Sequence, residues 1–265
     1  MDARKGSLRR RKRVHMVKKQ VKEQVRENFS DAAPDYEKWA RAQKQAAKIL
    51  AASLPALNPE EALDLGCGTG LLTRLVMDKY PGAHLTGIDF APGMGEAWNK
   101  KFRGASFINA DIEKFRPEKK YGLITSSFTF QWMQDPAEAV RRSYSWLANG
   151  GVLGFCLPLK GSLGELVEAF GGKDAPILEF PKEEAVIRAL PAGAKKFVRE
   201  IGIYYKSPVE AVKSLKKIGA AFRDKPVRNA AAKMRAGLKK FGEMFAKSKK
   251  GYKLTYKVLF VVVKK

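Results

Sequence analysis

The run Leu63-Asp64-Leu65-Gly66-Cys67-Gly68-Thr69-Gly70 constrains the fold of this chain more than any other feature. It lies where a strand expected over residues 62–65 meets a helix expected over about 70–79. Glycines at alternate positions let the backbone turn tightly and approach a ligand closely, and the helix start that follows offers unpaired N–H groups. That junction, at the carboxyl end of a strand, is where open α/β sheets bind ligands. Asp89 closes the next expected strand, nineteen residues after Gly70, where a carboxylate can accept both hydroxyls of a ribose. Asp111 follows a third strand, and its side chain together with the N–H of Ile112 can read an adenine edge. Either aspartate alone reads as a helix cap or turn residue; three strand-end features in order point to a nucleoside ligand.

The rest of the first two thirds supports this frame. Tyr36, Trp39, Ala40, Ala47, Leu50 and Leu54 recur at three- and four-residue spacing, which predicts one amphipathic helix from Asp35 onward. Strands are expected over 62–65, 84–88, 106–109, 121–126 and 152–157, interleaved with helices over 70–79, 96–101 and 136–147. Such alternation argues an α/β fold with a mostly parallel sheet covered on both faces. After Pro158 the rhythm changes. Helices are expected over 162–170, 182–190, 208–222 and 227–245, with extended segments at 196–205 and 254–263. The two late strands suggest a terminal antiparallel pair, the helices around them forming a lid, inserted at about 160–195 and 207–248, within one domain over 23–265.

The chain carries a net charge of +24, and its location matters more than its size. Residues 1–22 hold ten Lys and Arg against one acid, residues 23–159 hold sixteen of each, and residues 160–265 hold twenty-five against ten. A basic surface raises encounter rates with any polyanion, be it nucleic acid, anionic membrane or acidic protein. Residues 1–22 have few large apolar side chains and a block of like charge, so a disordered basic tail is expected there. Its first fifteen residues read either as an incidental extension ahead of Met16 or as a nucleic-acid-binding arm. The two cysteines, Cys67 and Cys156, and two histidines, His15 and His84, form neither a disulfide framework nor a zinc pattern. No apolar run is long enough for a membrane span and no secretory core follows the basic start, so a cytoplasmic protein without metal or membrane attachment is expected.

With these residues in view, the chain resembles the class I methyltransferases over roughly residues 60–157. The order Asp64-Leu65-Gly66-Cys67-Gly68-Thr69-Gly70, then Ile88-Asp89-Phe90, then Asp111-Ile112, then Ser126 to Met133 follows that family, and the glycine spacing differs from that of NAD-binding proteins. The resemblance implies a Rossmann-like seven-stranded sheet and S-adenosylmethionine as cofactor. It implies Gly66, Gly68 and Gly70 at the methionine portion, Asp89 at the ribose, Asp111 and Ile112 at the adenine, and Ser127 facing the methionine end, with Asp64 and Phe90 also among the cofactor-binding residues.

Four further passages are similar to the malonyl-acyl-carrier-protein O-methyltransferases of biotin synthesis. They are Phe29 to Tyr36 with Gln43, Gln131-Trp132 followed by Arg141, Ser214 to Ala220, and Gly251 to Tyr256. Ala91, Gly93, Gly95 and Ala148-Asn149 depart from that pattern, at turns near the cofactor. The resemblance implies methyl transfer to the free carboxylate of a malonyl thioester on an acidic acyl-carrier protein, with Arg141 gripping the carboxylate and Tyr36 supporting or covering the cofactor. A carboxylate is already ionised at neutral pH, so no general base is required. The rival reading is a methyltransferase on RNA or on another small carboxylate, using the basic C-terminal third; stable nucleic-acid binding is not expected, and the oligomeric state is open. Trp39, Phe128 and Trp132 read either as an aromatic wall around the acceptor or as ordinary core, and Cys67 as a packed thiol rather than a nucleophile.

Overall fold

The computed structural model describes residues 21–172, 175, 177, 179–220, 229–245 and 249–265. The expected basic tail therefore lies outside the described residues as far as residue 20. Residues 21 and 22 are helical, part of α1 over 21–32.

A single turn of 3-10 helix, Ala33–Asp35, links α1 to α2 (Tyr36–Trp39) and α3 (Arg41–Ser53). The apolar periodicity predicts one helix here, but the chain leaves helical geometry at the fully buried Ala40, with φ −75° and ψ 48°. The break lets two short helices satisfy different neighbours. Buried Ala42, Ala46, Ala47 and Leu50 seat α3 on the sheet, whereas α2 packs against the later helix over Pro208–Lys217.

Seven strands follow: β1 (Glu61–Leu65), β2 (His84–Asp89), β3 (Ser106–Asn109), β4 (Tyr121–Ser127), β5 (Leu147–Pro158), β6 (Lys195–Tyr205) and β7 (Tyr252–Lys264). Their order is β3-β2-β1-β4-β5-β7-β6, and β7 alone runs against its neighbours. Between them lie α4 (Leu71–Lys79), α5 (Pro92–Asn99), α6 (Pro136–Ser145), α7 (Gly164–Ala169), α8 (Glu183–Ile187), α9 (Pro208–Lys217) and α10 (Ala230–Phe245). α5 begins four residues before its expected start because Pro92 occupies the first helical turn, where a missing N–H and a fixed φ favour it.

The pleat sends alternate strand residues into two cores. Ala62, Leu123 and Val152 face α3 and α4, while Leu63, Ile124, Leu153 and Phe155 meet Ala139 and Val140 of α6. α7 and α8 fall between β5 and β6, and α9 and α10 between β6 and β7. Phe241 of α10 is fully buried, and Gly237 packs so closely on Phe170 that a Cβ there would enter its ring. α7, α9 and α10 are thus packed on one another and on β6 and β7.

Candidate active site

Parallel register brings the ends of four strands to one edge: Leu65 lies beside Ile88 and Ser126, and Asp89 beside Asn109. The glycine turn closes this edge, with Gly66 N and Cys67 N donating to Ile88 O at 2.7 and 3.0 Å. Gly66 has φ +67°, and a Cβ on it would occupy the space of the Thr129 side chain. Gly68, at φ +53°, differs: a Cβ there would meet nothing nearer than the Met94 sulfur at 4.0 Å. That open cradle is backbone exposed for a ligand's approach.

Asp89 is buried at the end of β2, its Oδ2 accepting from Gly68 N at 3.0 Å and Oδ1 from Ala91 N at 2.9 Å. Burial pushes its pKa up to about 6, against the opposing pull of those N–H groups. Each carboxylate oxygen keeps a further lone pair for an incoming hydroxyl. Asp64 is turned into the fold: it accepts from Thr73 Oγ1 at 2.7 Å and Thr125 Oγ1 at 3.1 Å, and burial raises its pKa to about 6. Trp98 Nε1 in turn donates to Thr73 Oγ1 at 3.2 Å. Asp64 therefore ties β1, α4 and β4 together beneath the turn.

At the β3 end, Asp111 Oδ1 accepts from Glu113 N at 3.0 Å and from Lys22 Nζ at 2.7 Å, and Lys22 also pairs with Glu113. Arg26 Nε donates to the carbonyl of half-buried Phe90 at 3.2 Å, so α1 straps across the edge where Phe90, Asp111 and Ile112 stand. Arg142 of α6 shapes the same loop, donating to Glu113 O at 2.6 Å, Phe115 O at 2.7 Å and Ile112 O at 3.3 Å. Lys22, Arg26 and Arg142 carried no motif; nothing in the linear chain separates Arg142 from its neighbour Arg141.

Ser127 ends β4 with its Oγ 3.3 Å from Cys156 Sγ. Beyond it, Phe128 takes φ +54°, strained for a non-glycine residue, and is held there by Phe128 N donating to Cys156 O at 2.9 Å and Gln131 Nε2 donating to Phe128 O at 2.7 Å. This turn forms one wall of a cavity lined by Tyr36, Gln43, Phe128, Gln131, Trp132 and Tyr256, with Leu215 of α9 and Ile218 just after it. Trp132 meets Phe29 edge-on at 5.3 Å, and Phe128 lies 6.0 Å from Tyr256. The aromatic wall therefore includes Phe128 and Trp132, while Trp39 sits outside it beneath Lys213.

No described residue lining this cavity is charged at neutral pH. Burial, then the charge of Asp89, pushes the Tyr36 phenol well above its ordinary value, and burial does the same at Tyr256. Tyr36 lines the cavity and packs against Ala91 and Met94, the neighbours of Asp89 and Gly68, so it joins the cavity to the strand-end edge. Cys67 and Cys156 are buried and their thiols are pushed up by burial, Cys156 to about 12, which fits packed thiols rather than nucleophiles.

Arg141 is not brought to the cavity. Its side chain is 51% exposed and pairs with Glu138 at 2.9 Å and Asp135 at 3.9 Å. α6 buries Ala139, Val140 and Ser143, and Arg141 lies off that stripe. Among the described residues, no helix is long and apolar enough to cross a membrane.

Residues 62–151 match the family model described as a methyltransferase domain. The chain is 39% identical over 132 residues to a malonyl-[acyl-carrier protein] O-methyltransferase of Acetivibrio thermocellus, covering 48% of this chain and 47% of that one. It is 32% identical over 134 residues to a trans-aconitate 2-methyltransferase of Rhizobium etli, covering 51% and 52%. The chain spans about half the length of the curated relatives it matches first. The structure of coclaurine N-methyltransferase bound to N-methylheliamine and S-adenosylhomocysteine is alike in fold, with a TM-score of 0.52 at 16% identity over 84% of this chain and 73% of that one.

Proposed function

We propose that this chain, whose residues 62–151 match the family model described as a methyltransferase domain, is a class I methyltransferase that uses S-adenosylmethionine to methylate the free carboxylate of a malonyl thioester carried on an acidic acyl-carrier protein. The observation that carries the reading is the adjacency of two sites through Tyr36, which packs against Ala91 and Met94: a glycine cradle with Asp89, and an aromatic cavity without a charged base among its described lining residues. The sequence relative named for malonyl-carrier protein supports the acceptor, and biotin synthesis is the role that the resemblance of the four sequence passages suggests.

The residues present fit the cofactor. The open face at Gly68 and the turn from Gly66 to Gly70 would take the methionine portion, with Ser127 beside it. Asp89 would accept from the ribose, and Phe90, Asp111 and Ile112 would enclose the adenine, with Asp64 bracing the turn from below. S-adenosylmethionine held there would supply an electrophilic sulfonium methyl that a carboxylate oxygen can accept with no proton to remove, the sulfur keeping the electron pair of its former S–C bond.

The chain's own part is to orient and to exclude water. An acceptor that had to lose a proton would require a base near the methyl, and the titratable groups lining the described cavity are phenols held neutral by burial. An ionised carboxylate requires none. Holding it at near-attack distance supplies on the order of 7 to 11 kcal/mol through proximity alone.

The lid supports a carrier-borne substrate. Leu215 of α9 and Ile218 just after it line the cavity, while Lys213 and Lys216 of α9 and Lys233, Arg235, Lys239 and Lys240 of α10 are exposed. Residues 206–250 hold fourteen Lys and Arg against three acids. A surface of that sign steers an acidic carrier toward the cavity. The test is transfer of labelled methyl to malonyl-carrier protein, malonyl-coenzyme A, trans-aconitate and total RNA in parallel. Preferred labelling of the carrier protein is expected; preferred labelling of trans-aconitate or RNA would overturn the reading.

A further inference from the structure

Resting on that acceptor assignment, we infer that the malonyl carboxylate is received by neutral donors, the amide of Gln43 with the hydroxyls of Tyr36 and Tyr256, and not by an arginine clamp. Gln43 is only 8% exposed, yet its side chain makes no hydrogen bond to any described residue while it lines the cavity. The residue is largely packed away, and its amide, with no partner in the described chain, is left to a ligand entering that cavity. The Tyr36 and Tyr256 hydroxyls line the same cavity and likewise make no hydrogen bond within the described chain.

Gln131 shows the contrast. It is equally buried, but its Nε2 is committed to Phe128 O at 2.7 Å, and its Oε1 is buried without a partner. Turned that way it offers an anion only a repelling carbonyl, so the donors for a carboxylate are on the opposite side of the choice: one amide free to turn its NH2 inward and two phenols that burial keeps protonated. Three neutral donors satisfy a carboxylate's lone pairs without neutralising it. That matters for this chemistry. Methyl transfer from a sulfonium to a carboxylate joins two opposite charges into neutral products, and a bidentate guanidinium would hold back the electron pair that must attack. A cavity of apolar walls with a few neutral donors keeps the anion oriented and nucleophilic.

Gln43→Glu keeps the size of the side chain and sets a second carboxylate against the first, so its effect should depend on pH as a structural role would not. Binding of malonyl methyl thioester to the protein with S-adenosylhomocysteine, read by calorimetry, is expected to weaken at least a hundredfold at pH 8 relative to the unaltered protein, and to recover as pH falls to 5.5 and the buried glutamate protonates. KM for malonyl-carrier protein should follow the same profile, with S-adenosylhomocysteine affinity unchanged. Gln43→Leu and Tyr256→Phe should each raise KM about tenfold without the pH dependence. If the unaltered protein fails to methylate malonyl-carrier protein, the acceptor assignment itself fails. If it succeeds while Gln43→Glu binds the thioester normally at pH 8, or while Gln43→Leu and Tyr256→Phe both keep the original KM, the neutral receptor is wrong.

Discussion

Replacing Asp89 by Asn tests the nucleoside edge most directly, because two separate quantities change. Both carboxylate oxygens already accept backbone N–H groups, from Gly68 and Ala91, so the side chain is held at the end of β2 before any ligand arrives. A ribose hydroxyl donating to it forms a hydrogen bond to a charged acceptor, worth about 1.5 to 3 kcal/mol. Asn loses that charge and turns an NH2 toward one of the same N–H groups, so S-adenosylhomocysteine affinity should fall about 10- to 150-fold at pH 7.5. The pH dependence is sharper. Burial raises the Asp89 pKa to about 6, above an ordinary value of about 3.9. Between those values the folded chain binds a proton that the unfolded chain has released, so this group's contribution to stability is present below about pH 4 and lost as pH rises through 6. The shift of about two pH units corresponds to about 3 kcal/mol at neutral pH, the cost of keeping the buried carboxylate ionised for its ligand. Ligand binding requires the ionised form, so affinity should drop about tenfold per pH unit below 6 in the unaltered protein and stay flat in Asp89→Asn. Isothermal titration calorimetry from pH 5 to 8 measures both. Equal affinities at pH 7.5, or a flat profile for the unaltered protein, would refute the role given to Asp89.

Arg141→Lys should leave turnover within about twofold and stability within about 1 kcal/mol, because the pair with Glu138 is solvent-exposed; steady-state kinetics showing a loss of tenfold or more would return Arg141 to the acceptor site. Arg142→Lys removes the planar fork that spans the carbonyls of Ile112, Glu113 and Phe115, so stability should fall by about 1 to 3 kcal/mol in chemical denaturation and S-adenosylhomocysteine affinity should weaken with it. For malonyl-carrier protein, kcat/KM should fall steeply with salt as the screening length contracts from about 10 Å at 0.1 M to about 3 Å at 1 M, whereas malonyl methyl thioester should respond weakly. Reversing charge at Lys213 and Lys216 should raise KM for the carrier substrate alone, and equal salt slopes for the two substrates would count against a docking surface.

The placement of the edge proposed to hold the nucleoside was legible because its signals are local. The run from Leu63 to Gly70, Asp89 and Asp111 each sit at a strand end, and a parallel sheet aligns strand ends whatever packs around them. The break at Ala40 was not legible: Tyr36 to Leu54 keeps helical spacing throughout, and the division appears only because α2 has α9 to pack against while α3 has the sheet. The acceptor side was harder still. Arg141 and Arg142 are adjacent arginines on one helix, and the choice between solvent and the loop over 112–115 depends on where the buried stripe of α6 points.

What the sequence by itself determined is the alternation of strands and helices, the glycine turn and the order of acidic residues at strand ends, since these follow from backbone conformational preference and from side-chain period along one segment. Only the tertiary structure decided that Asp64 braces the fold from within, that Lys22 and Arg26 strap α1 over the ends of β2 and β3, and that Gln43, Gln131, Tyr36 and Tyr256 converge on one cavity. These residues come from segments more than two hundred positions apart. Their meeting depends on the docking of α3, the turn after β4 and the antiparallel β7 around a shared core, and no period along the chain encodes that distance.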